Sequence, residues 1–456
     1  MKIPLVPPRL TTQILLKDGL IALMRAQALT PELIAQKGRY LHWDELRHRQ
    51  PPPDLTVEQW WMAVKLSRRV QYQRLPITDN HGEPFRYAIF AGLLSLMHGI
   101  DRDATGMISA PHQVTSAASR DRYLLSSLAE EAITSSQLEG AATTRAVARD
   151  MLREQRAPNT TGERMIVNNY RAMEWLRSRA TDSLTPEMLL ELHVILTHDT
   201  MEDAGAVGRW RRDSDEIVVS DETGKLLHRP PPEKELPQRL AAICALANQS
   251  NTGDRGAHAG ESTSEFLHPV LRAILLHFQL AYDHPFVDGN GRTARALFYW
   301  SMARQGYWLA EYVSLSSVLK KARSRYLRSF LYVETDECDV TYFLIDQLRA
   351  LRAAIDALYA YLDRKSRQLN DADRALRRSW HTALTLNERQ LALLSHALRT
   401  PSAAYTIESH RGSHGVSYQT ARTDLLSLET EGLLERRKRS REFLFVPSAT
   451  LAERVR

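Results

Sequence analysis

The stretch His284-Pro285-Phe286-Val287-Asp288-Gly289-Asn290-Gly291-Arg292-Thr293-Ala294-Arg295 decides how this chain is read. An apolar amphipathic segment, Phe266 to Ala281, runs into it, and a second helical run leaves it from about Arg292 to Arg304. Gly289 and Gly291 flank one asparagine, Asn290, where that second helix starts. Glycine reaches backbone angles that a side chain forbids, so the loop can fold tightly around a ligand. The first amides of a helix have no partner within it, and the helix dipole there favours an anion. Around this pocket stand a candidate base (His284), a hard-metal ligand (Asp288) and two guanidiniums (Arg292 and Arg295). The i, i+3 spacing puts both arginines on one helix face. The set suits a polyphosphate better than a single carboxylate.

The stretch resembles the signature of the Fic family, His-x-Phe-x-Asp/Glu-Gly-Asn-Gly-Arg-x-x-Arg, at every specified position. The resemblance implies a mainly α fold, a helical Fic core with a β-hairpin flap, and transfer of AMP from ATP to a Ser, Thr or Tyr hydroxyl of a target protein. In that reading His284 takes the hydroxyl proton, since imidazole titrates near working pH. Asp288 holds Mg²⁺, an oxygen-seeking ion, against the α- and β-phosphates. Asn290 and the amides from Gly289 to Arg292 bind the α-phosphate and its developing charge. Arg292 takes the β-phosphate and Arg295 the γ-phosphate. Relatives that transfer the γ-phosphate carry lysine at the place of Gly291, so a kinase is disfavoured. Gln279, little more than a turn before His284, is either a nucleotide contact or a polar helix position. The chain departs from the family at Ala322, where an asparagine near the adenine is usual.

A helix expected over Arg120 to Ser136 ends in Ser135-Ser136-Gln137-Leu138-Glu139-Gly140. Read by itself, this is a helix end stopped by glycine with an exposed glutamate. It also resembles the family's inhibitory motif, Ser/Thr-x-x-x-Glu-Gly/Asn, with Ser135, Glu139 and Gly140 in place. The resemblance pairs Glu139 with Arg295 and implies autoinhibition. A relative that removes AMP from proteins, with Glu139 activating water, is the alternative.

The rest of the chain is organised around this core. A length of 456 residues suggests two to four domains. Two cysteines, Cys244 and Cys338, fit a reducing compartment and exclude a disulfide scaffold or a four-cysteine zinc site. No apolar run is long enough to span a bilayer, and Met1 to Thr30 does not read as a signal peptide, so a cytoplasmic protein is expected. Residues 1–110 read as a helical N-terminal module, with helical spacing over Ile14 to Ala26 and a helix from Trp60 to about Val70. It is either a supporting module or a docking module. The Fic core is expected over 115–345, with the inhibitory helix at 120–140 and helices over Gly162 to Arg177, Pro186 to Leu196, Glu233 to Asn248 and Val313 to Phe330. Gly208-Arg209-Trp210-Arg211, two short strands around a Thr-Gly turn, and Pro230-Pro231-Pro232 mark a hairpin at 208–232. The resemblance makes this the flap, which aligns a target segment by strand pairing. Asn251 to Glu261 reads as a polar loop, and 346–380 as a connecting helix.

Residues 384–450 read as a winged helix-turn-helix, with helices over Glu388 to Leu398 and Ser417 to Gly432. Of the net charge of +6, fifteen basic and ten acidic residues from Ser366 onward supply most. Arg436-Arg437-Lys438-Arg439-Ser440-Arg441 before the strand Glu442 to Val446 suits phosphate contacts, and Ser417, Gln419, Thr420 and Arg422 would open a recognition helix. DNA is thus one candidate partner of this module, and a protein contact is the other. The expected partners are therefore ATP, a target protein, DNA at the winged helix and a second copy in a homodimer, with no membrane. An ATP-sensing DNA-binding regulator is the rival to the enzyme.

Overall fold

The computed structural model describes residues 2–8, 20–29, 33–36, 38–104, 117–154, 156–249, 266–380, 386–399, 403–439 and 442–451. The elements in chain order are helices α1 (Leu20–Leu29), α2 (Trp43–Leu46) and α3 (Val57–Val70), then strands β1 (Tyr72–Thr78) and β2 (Pro84–Ala88). Helices α4 (Ala91–Ala104), α5 (Ala117–Leu138), α6 (Arg145–Glu154), α7 (Thr161–Ser178) and α8 (Pro186–Thr197) follow. Strands β3 (Val219–Ser220) and β4 (Leu226–His228) precede α9 (Leu236–Asn248), α10 (Pro269–Asp283) and α11 (Asn290–Arg304). The chain continues through α12 (Leu315–Lys321), α13 (Arg323–Thr335) and α14 (Thr341–Trp380). Last come α15 (Glu388–Arg399), α16 (Ile407–His414), α17 (Tyr418–Thr430) and strands β5 (Leu434–Arg439) and β6 (Glu442–Pro447). The fold is mainly α, and each sheet has two antiparallel strands. Among the described residues no helix is long and apolar enough to cross a membrane. The chain divides into a larger unit up to Leu358 and a smaller one from Tyr359.

In the larger unit α10 and α11 are the central pair. Nearly every residue of both is buried, including polar ones such as Arg292, Arg295 and Asp283, which must therefore find partners inside. Pro269 occupies the first turn of α10, where its missing N–H costs nothing, and the His268 ring caps it by accepting from the Val270 amide at 3.3 Å. Helix α5 packs on α7 and α12, and a buried carboxylate on it fixes the start of α12. Glu131 accepts from the Ser314 hydroxyl at 2.8 Å, the Ser316 amide at 3.0 Å and the Tyr299 hydroxyl at 2.8 Å. A negative charge at a helix start is well placed against the dipole.

The expected single helix over Val313 to Phe330 is instead α12 and α13, broken at Ala322 (φ −127°, ψ 37°). The halves are anchored on different partners, α12 on Glu131 and α13 on His277 through the Tyr326 hydroxyl at 2.9 Å.

The residues expected to form a separate N-terminal module belong to the same compact unit as the core. The reason is a set of buried polar contacts between α3 and the turn joining α13 to α14. Lys65 Nζ lies 2.8 Å from Asp336 Oδ1 with both side chains buried. Arg68 donates to the Tyr342 hydroxyl at 2.8 Å and stacks over the Tyr40 ring. The hydroxyls of Tyr40 and Tyr72 both donate to Asp339 Oδ2, at 2.6 and 2.8 Å. The hairpin β1–β2 is absent from the sequence reading. Its turn is built by Asp79 Oδ1, which accepts from the amides of His81 and Glu83, each at 2.8 Å. Of the expected helix over Ile14 to Ala26, residues 14–19 lie outside the described residues, as do the loop Asn251 to Glu261 and the tip residues Ser440 and Arg441.

The smaller unit has its own core of Leu393, Leu394, Leu425, Leu428, Leu434 and Phe445. A helix not foreseen from the sequence, α16, stands between α15 and α17. The three are joined by one buried carboxylate. Asp424 accepts from Asn387 at 2.7 Å and Arg389 at 2.8 Å, and its Oδ2 lies 3.2 Å from His410 Nε2. Strands β5 and β6 pair from Leu434–Pro447 to Arg439–Glu442.

Candidate functional site

Helix α10 ends at Asp283, and His284 turns the chain in the left-handed region (φ 46°, ψ 55°). A side chain there is uncommon and must be held by its surroundings. The holding group is Arg211, from the start of the flap segment. Its Nε donates to the His284 carbonyl at 2.8 Å, and its Nη2 to the carbonyls of Asp283, at 3.3 Å, and Pro231. The Arg211 amide donates to the Pro285 carbonyl at 2.8 Å. One guanidinium thus satisfies orphan carbonyls at the end of α10 and fixes the bend that presents the imidazole.

The loop closes through Asn290. Its side chain accepts from the Phe286 amide at 2.9 Å and donates to the Phe286 carbonyl at 2.8 Å. Gly289 then adopts φ 83° and starts α11. No group among the described residues accepts from the amides of Asn290, Gly291 and Arg292, so three N–H donors face outward at the positive end of α11. The ring of His193 lies flat on Phe286, with centroids 3.9 Å apart. Its Nδ1 accepts from the Gly208 amide at 3.1 Å, so Nε2 carries the proton toward the Asp288 carbonyl at 3.0 Å. Burial lowers the His193 pKa to about 4, which keeps it neutral in this role.

His284 itself is held neutral. Burial, only partly opposed by the hydrogen bond to the Ala281 carbonyl, lowers its pKa to about 4. Nδ1 faces that carbonyl at 3.3 Å, which leaves Nε2 as the basic nitrogen. A cavity of about 570 Å³ opens beside it, lined by His284, Gly291, Arg295, Glu139, Tyr326 and the flap residues Val219 to Thr223.

Arg295 is buried and crosses to α5. Its Nε donates to the Ser135 hydroxyl at 2.9 Å, and its Nη2 to the Ser135 carbonyl at 3.0 Å and Glu139 Oε1 at 2.8 Å. Burial would raise the Glu139 carboxyl, but Arg295, with Arg292 and His284 behind it, holds it below the usual range. About a quarter of that side chain, 27%, stays exposed, and the rest is held by the pair with Arg295. Glu139 stands directly over the anion loop. A methyl on Gly291 would meet its Oε1 at 2.2 Å, so only glycine permits the approach. Gly140 adopts φ 95° and ends α5.

Of the residues singled out by sequence, His284, Gly291, Arg295 and Glu139 share one cavity. The side chains of Asn290, Arg292, Gln279, Asp288 and Ser135 do not line it. Asn290 closes the loop on Phe286. Arg292 is buried, donating to the Leu196 carbonyl at 3.0 Å and to Asp288 Oδ2 at 2.9 Å. Gln279 donates to both carboxylate oxygens of Asp283, at 2.9 and 3.0 Å, inside a buried cluster completed by Arg239. Asp288 is half exposed, with one oxygen on Arg292. Among the described residues no group of three or more His, Cys, Asp or Glu could hold a metal ion. Arg211 and His193 were not assigned roles from sequence. Arg211 had a signal in the Gly-Arg-Trp-Arg run, and His193 had none.

The flap strands are shorter than expected, because Glu216 takes a left-handed bend (φ 50°) before β3. Val219 pairs with His228 and Ser220 with Leu226. Both ring nitrogens of His228 face acceptors, the Tyr282 carbonyl at 2.7 Å and Glu334 Oε1 at 2.8 Å, which ties the flap base to α10 and α13. Glu222 near the flap tip pairs with Arg323.

Comparison with known proteins places a family domain around this loop. A sequence model of the Fic/DOC family matches residues 183–302. The chain is 33% identical over 128 residues to a protein adenylyltransferase Fic of Nematostella vectensis, covering 28% of this chain and 25% of that one. It is 54% identical over 44 residues to a protein adenylyltransferase Fic of Drosophila melanogaster, covering 10% of this chain and 9% of that one. The chain thus spans a quarter or less of these relatives. In three dimensions it resembles a Fic family protein from Desulfovibrio desulfuricans G20, with a TM-score of 0.50 and 19% identity, over 80% of this chain and 98% of that one. That likeness speaks for the fold. With the loop, the amides and the helix pair in place, the chain carries a Fic/DOC-family domain over residues 183–302.

Proposed function

We propose that the chain is a protein adenylyltransferase that moves AMP from ATP to a Ser, Thr or Tyr hydroxyl of another protein. The observation that carries this reading is a neutral imidazole, His284, and one buried guanidinium, Arg295, in a single cavity with Gly291, at the unpartnered start of α11. In this reading His284 Nε2 accepts the hydroxyl proton as the oxygen attacks the α-phosphorus. The bond from that phosphorus to the bridging oxygen of the β-phosphate breaks, and pyrophosphate leaves. The amides of Asn290, Gly291 and Arg292 receive the charge on the α-phosphate. Arg295 receives the γ-phosphate. Arg292 reaches the β-phosphate only by giving up Asp288, and Asp288 is then released for a cation. One carboxylate beside a phosphate cradle fits Mg²⁺, which is often held by one or two carboxylates plus the phosphates themselves. When bound it would neutralise phosphate charge.

Glu139 occupies the guanidinium needed for the γ-phosphate, and its charge lies where that phosphate must sit. The chain as folded is therefore proposed to be restrained. A second reading, removal of AMP from a modified protein, draws on the same observation, because the Glu139 carboxylate is close enough to the anion loop to orient a water there. An ATP-sensing DNA-binding regulator is not favoured. A regulator that only senses ATP has no use for a neutral imidazole held at the anion loop, as His284 is.

The test is incubation of the chain with labelled ATP and candidate acceptor proteins, followed by mass spectrometry of modified hydroxyls. His284→Ala is expected to lower transfer by about 10² to 10⁴ while ATP binding is retained. Transfer at the wild-type rate in that variant would remove His284 from the mechanism.

A further inference from the structure

A second cavity, of about 330 Å³, lies on the other side of α13, between one face of that helix, one face of α14 and residues 39–45. Four guanidiniums line it, those of Arg39, Arg325, Arg328 and Arg349, against two carboxylates, Glu45 and Asp346. The carboxylates are already engaged. Glu45 pairs with Arg39 at 3.0 Å and accepts from the Tyr332 hydroxyl at 3.0 Å. Asp346 pairs with Arg325 at 2.7 Å. Arg328 turns to the Tyr332 hydroxyl. Arg349 has no hydrogen bond or ion pair among the described residues. Burial and the neighbouring Arg39 and Arg325 push its pKa down, against Asp346 and Glu45, as expected of a cation crowded by cations.

The cavity therefore carries two positive charges in excess of its own acids. The i, i+3 spacing of Arg325 and Arg328 on α13, and of Asp346 and Arg349 on α14, keeps them on the lining faces. Folding alone gives no reason to gather like charges, which repel each other and are relieved by an incoming anion. Two further facts say what that anion is. The space admits more than one side chain. It also shares Ser324 and Arg328 with the cavity that holds His284, so a chain crossing α13 can occupy both.

We propose that this cleft docks an acidic segment of the acceptor polypeptide, two carboxylates of which complete the arginine cluster while a nearby hydroxyl enters the His284 cavity. The purpose rests on the transferase reading, but the binding does not. Electrostatic complementarity of this kind gives partner choice and rapid encounter.

The experiment uses the full chain without nucleotide and a fluorescein-labelled peptide of one serine flanked by glutamates, read by anisotropy at low ionic strength. The same peptide with glutamines is the control. The acidic peptide is expected to bind, and Arg349→Glu to weaken it by at least about tenfold. Arg349→Gln, a milder change at a solvent-reaching site, should give a smaller loss. Arg436→Glu, on the hairpin of the smaller unit, should change nothing. Equal binding by Arg349→Glu, equal binding of the glutamine peptide, or no binding would overturn the proposal. Competition by inorganic phosphate beyond that of chloride at matched ionic strength would mark a small-anion site and also overturn it. His284→Ala protein should bind the peptide as the wild type does, so a failure of the transfer chemistry and a failure of docking are read separately.

Discussion

His284 is asked to be a base while sitting in a left-handed bend at a helix end. Its neighbours make both demands compatible. Arg211 satisfies the carbonyls the bend exposes, and burial depresses the imidazole to about 4. A depressed pKa leaves the neutral, proton-accepting form in place throughout the physiological range. The acid limb of kcat/KM for AMP transfer should therefore lie well below the ordinary histidine value of about 6.5. Measured from pH 8 to pH 5 in a variant freed of Glu139, kcat/KM should be flat. A limb centred near 6.5 would mean that the imidazole is more solvated than the bend and its burial indicate. The same scale shows what sequence could not supply. Asn290 and Arg292 match the signature, yet their side chains face inward to Phe286, Leu196 and Asp288. A pattern of residue types records which side chains a loop needs, and not which way each one faces.

At the scale of elements, the signature located the loop and the helix that follows it because glycines and a long apolar run are local features. The N-terminal helices were recognised as helices, but their attachment to the core was not. That attachment depends on Lys65 meeting Asp336 and Arg68 meeting Tyr342 across about 270 residues, a separation no local pattern records. The hairpin β1–β2 was missed for a related reason, since its register is fixed partly by Arg86 bridging to Cys338 and Val340 on a distant turn. The Lys65–Asp336 pair is 2.8 Å long and fully buried, and removing one partner of such a pair leaves a charge without compensation. Lys65→Met is expected to destabilise the larger unit by about 3–5 kcal/mol in chemical denaturation. A loss below about 1 kcal/mol would show that α3 is not integral to that unit.

For the whole molecule, burial of histidines sets an acid limit. Burial lowers His42 and His193 to about 4 and His277 to about 3, in addition to His284 at about 4. Each has a folded pKa below its unfolded value of about 6.5, so the unfolded chain takes up protons the folded chain refuses. Their contribution is complete above pH 6.5 and is lost as pH falls toward 4. Asp283, raised by burial to about 6 against Arg239 and Gln279, works in the opposite sense, as do Asp346 and Glu311, whose carboxyls burial also raises. The Tm is expected to fall by at least about 5 °C between pH 7.5 and pH 5, before most carboxylates titrate. A Tm unchanged over that interval would mean that these histidines are not buried in neutral form.

In the proposed function, an adenylyl-transfer site is folded and then restrained by Glu139 through Arg295. The direct measurement is the amount of AMP added to protein hydroxyls, self-modification included, by the wild type, Glu139→Gly and Glu139→Gly combined with Arg295→Ala. Glu139→Gly is expected to raise transfer by at least about tenfold, since misplacement of the reacting atoms by an ångström can cost about 10²-fold. Adding Arg295→Ala is expected to abolish the gain, because in the proposed function the same guanidinium seats the γ-phosphate. Transfer unchanged by Glu139→Gly while His284→Ala still abolishes it would contradict the restraint, and would leave Ser135 to Gly140 as no more than the end of a helix.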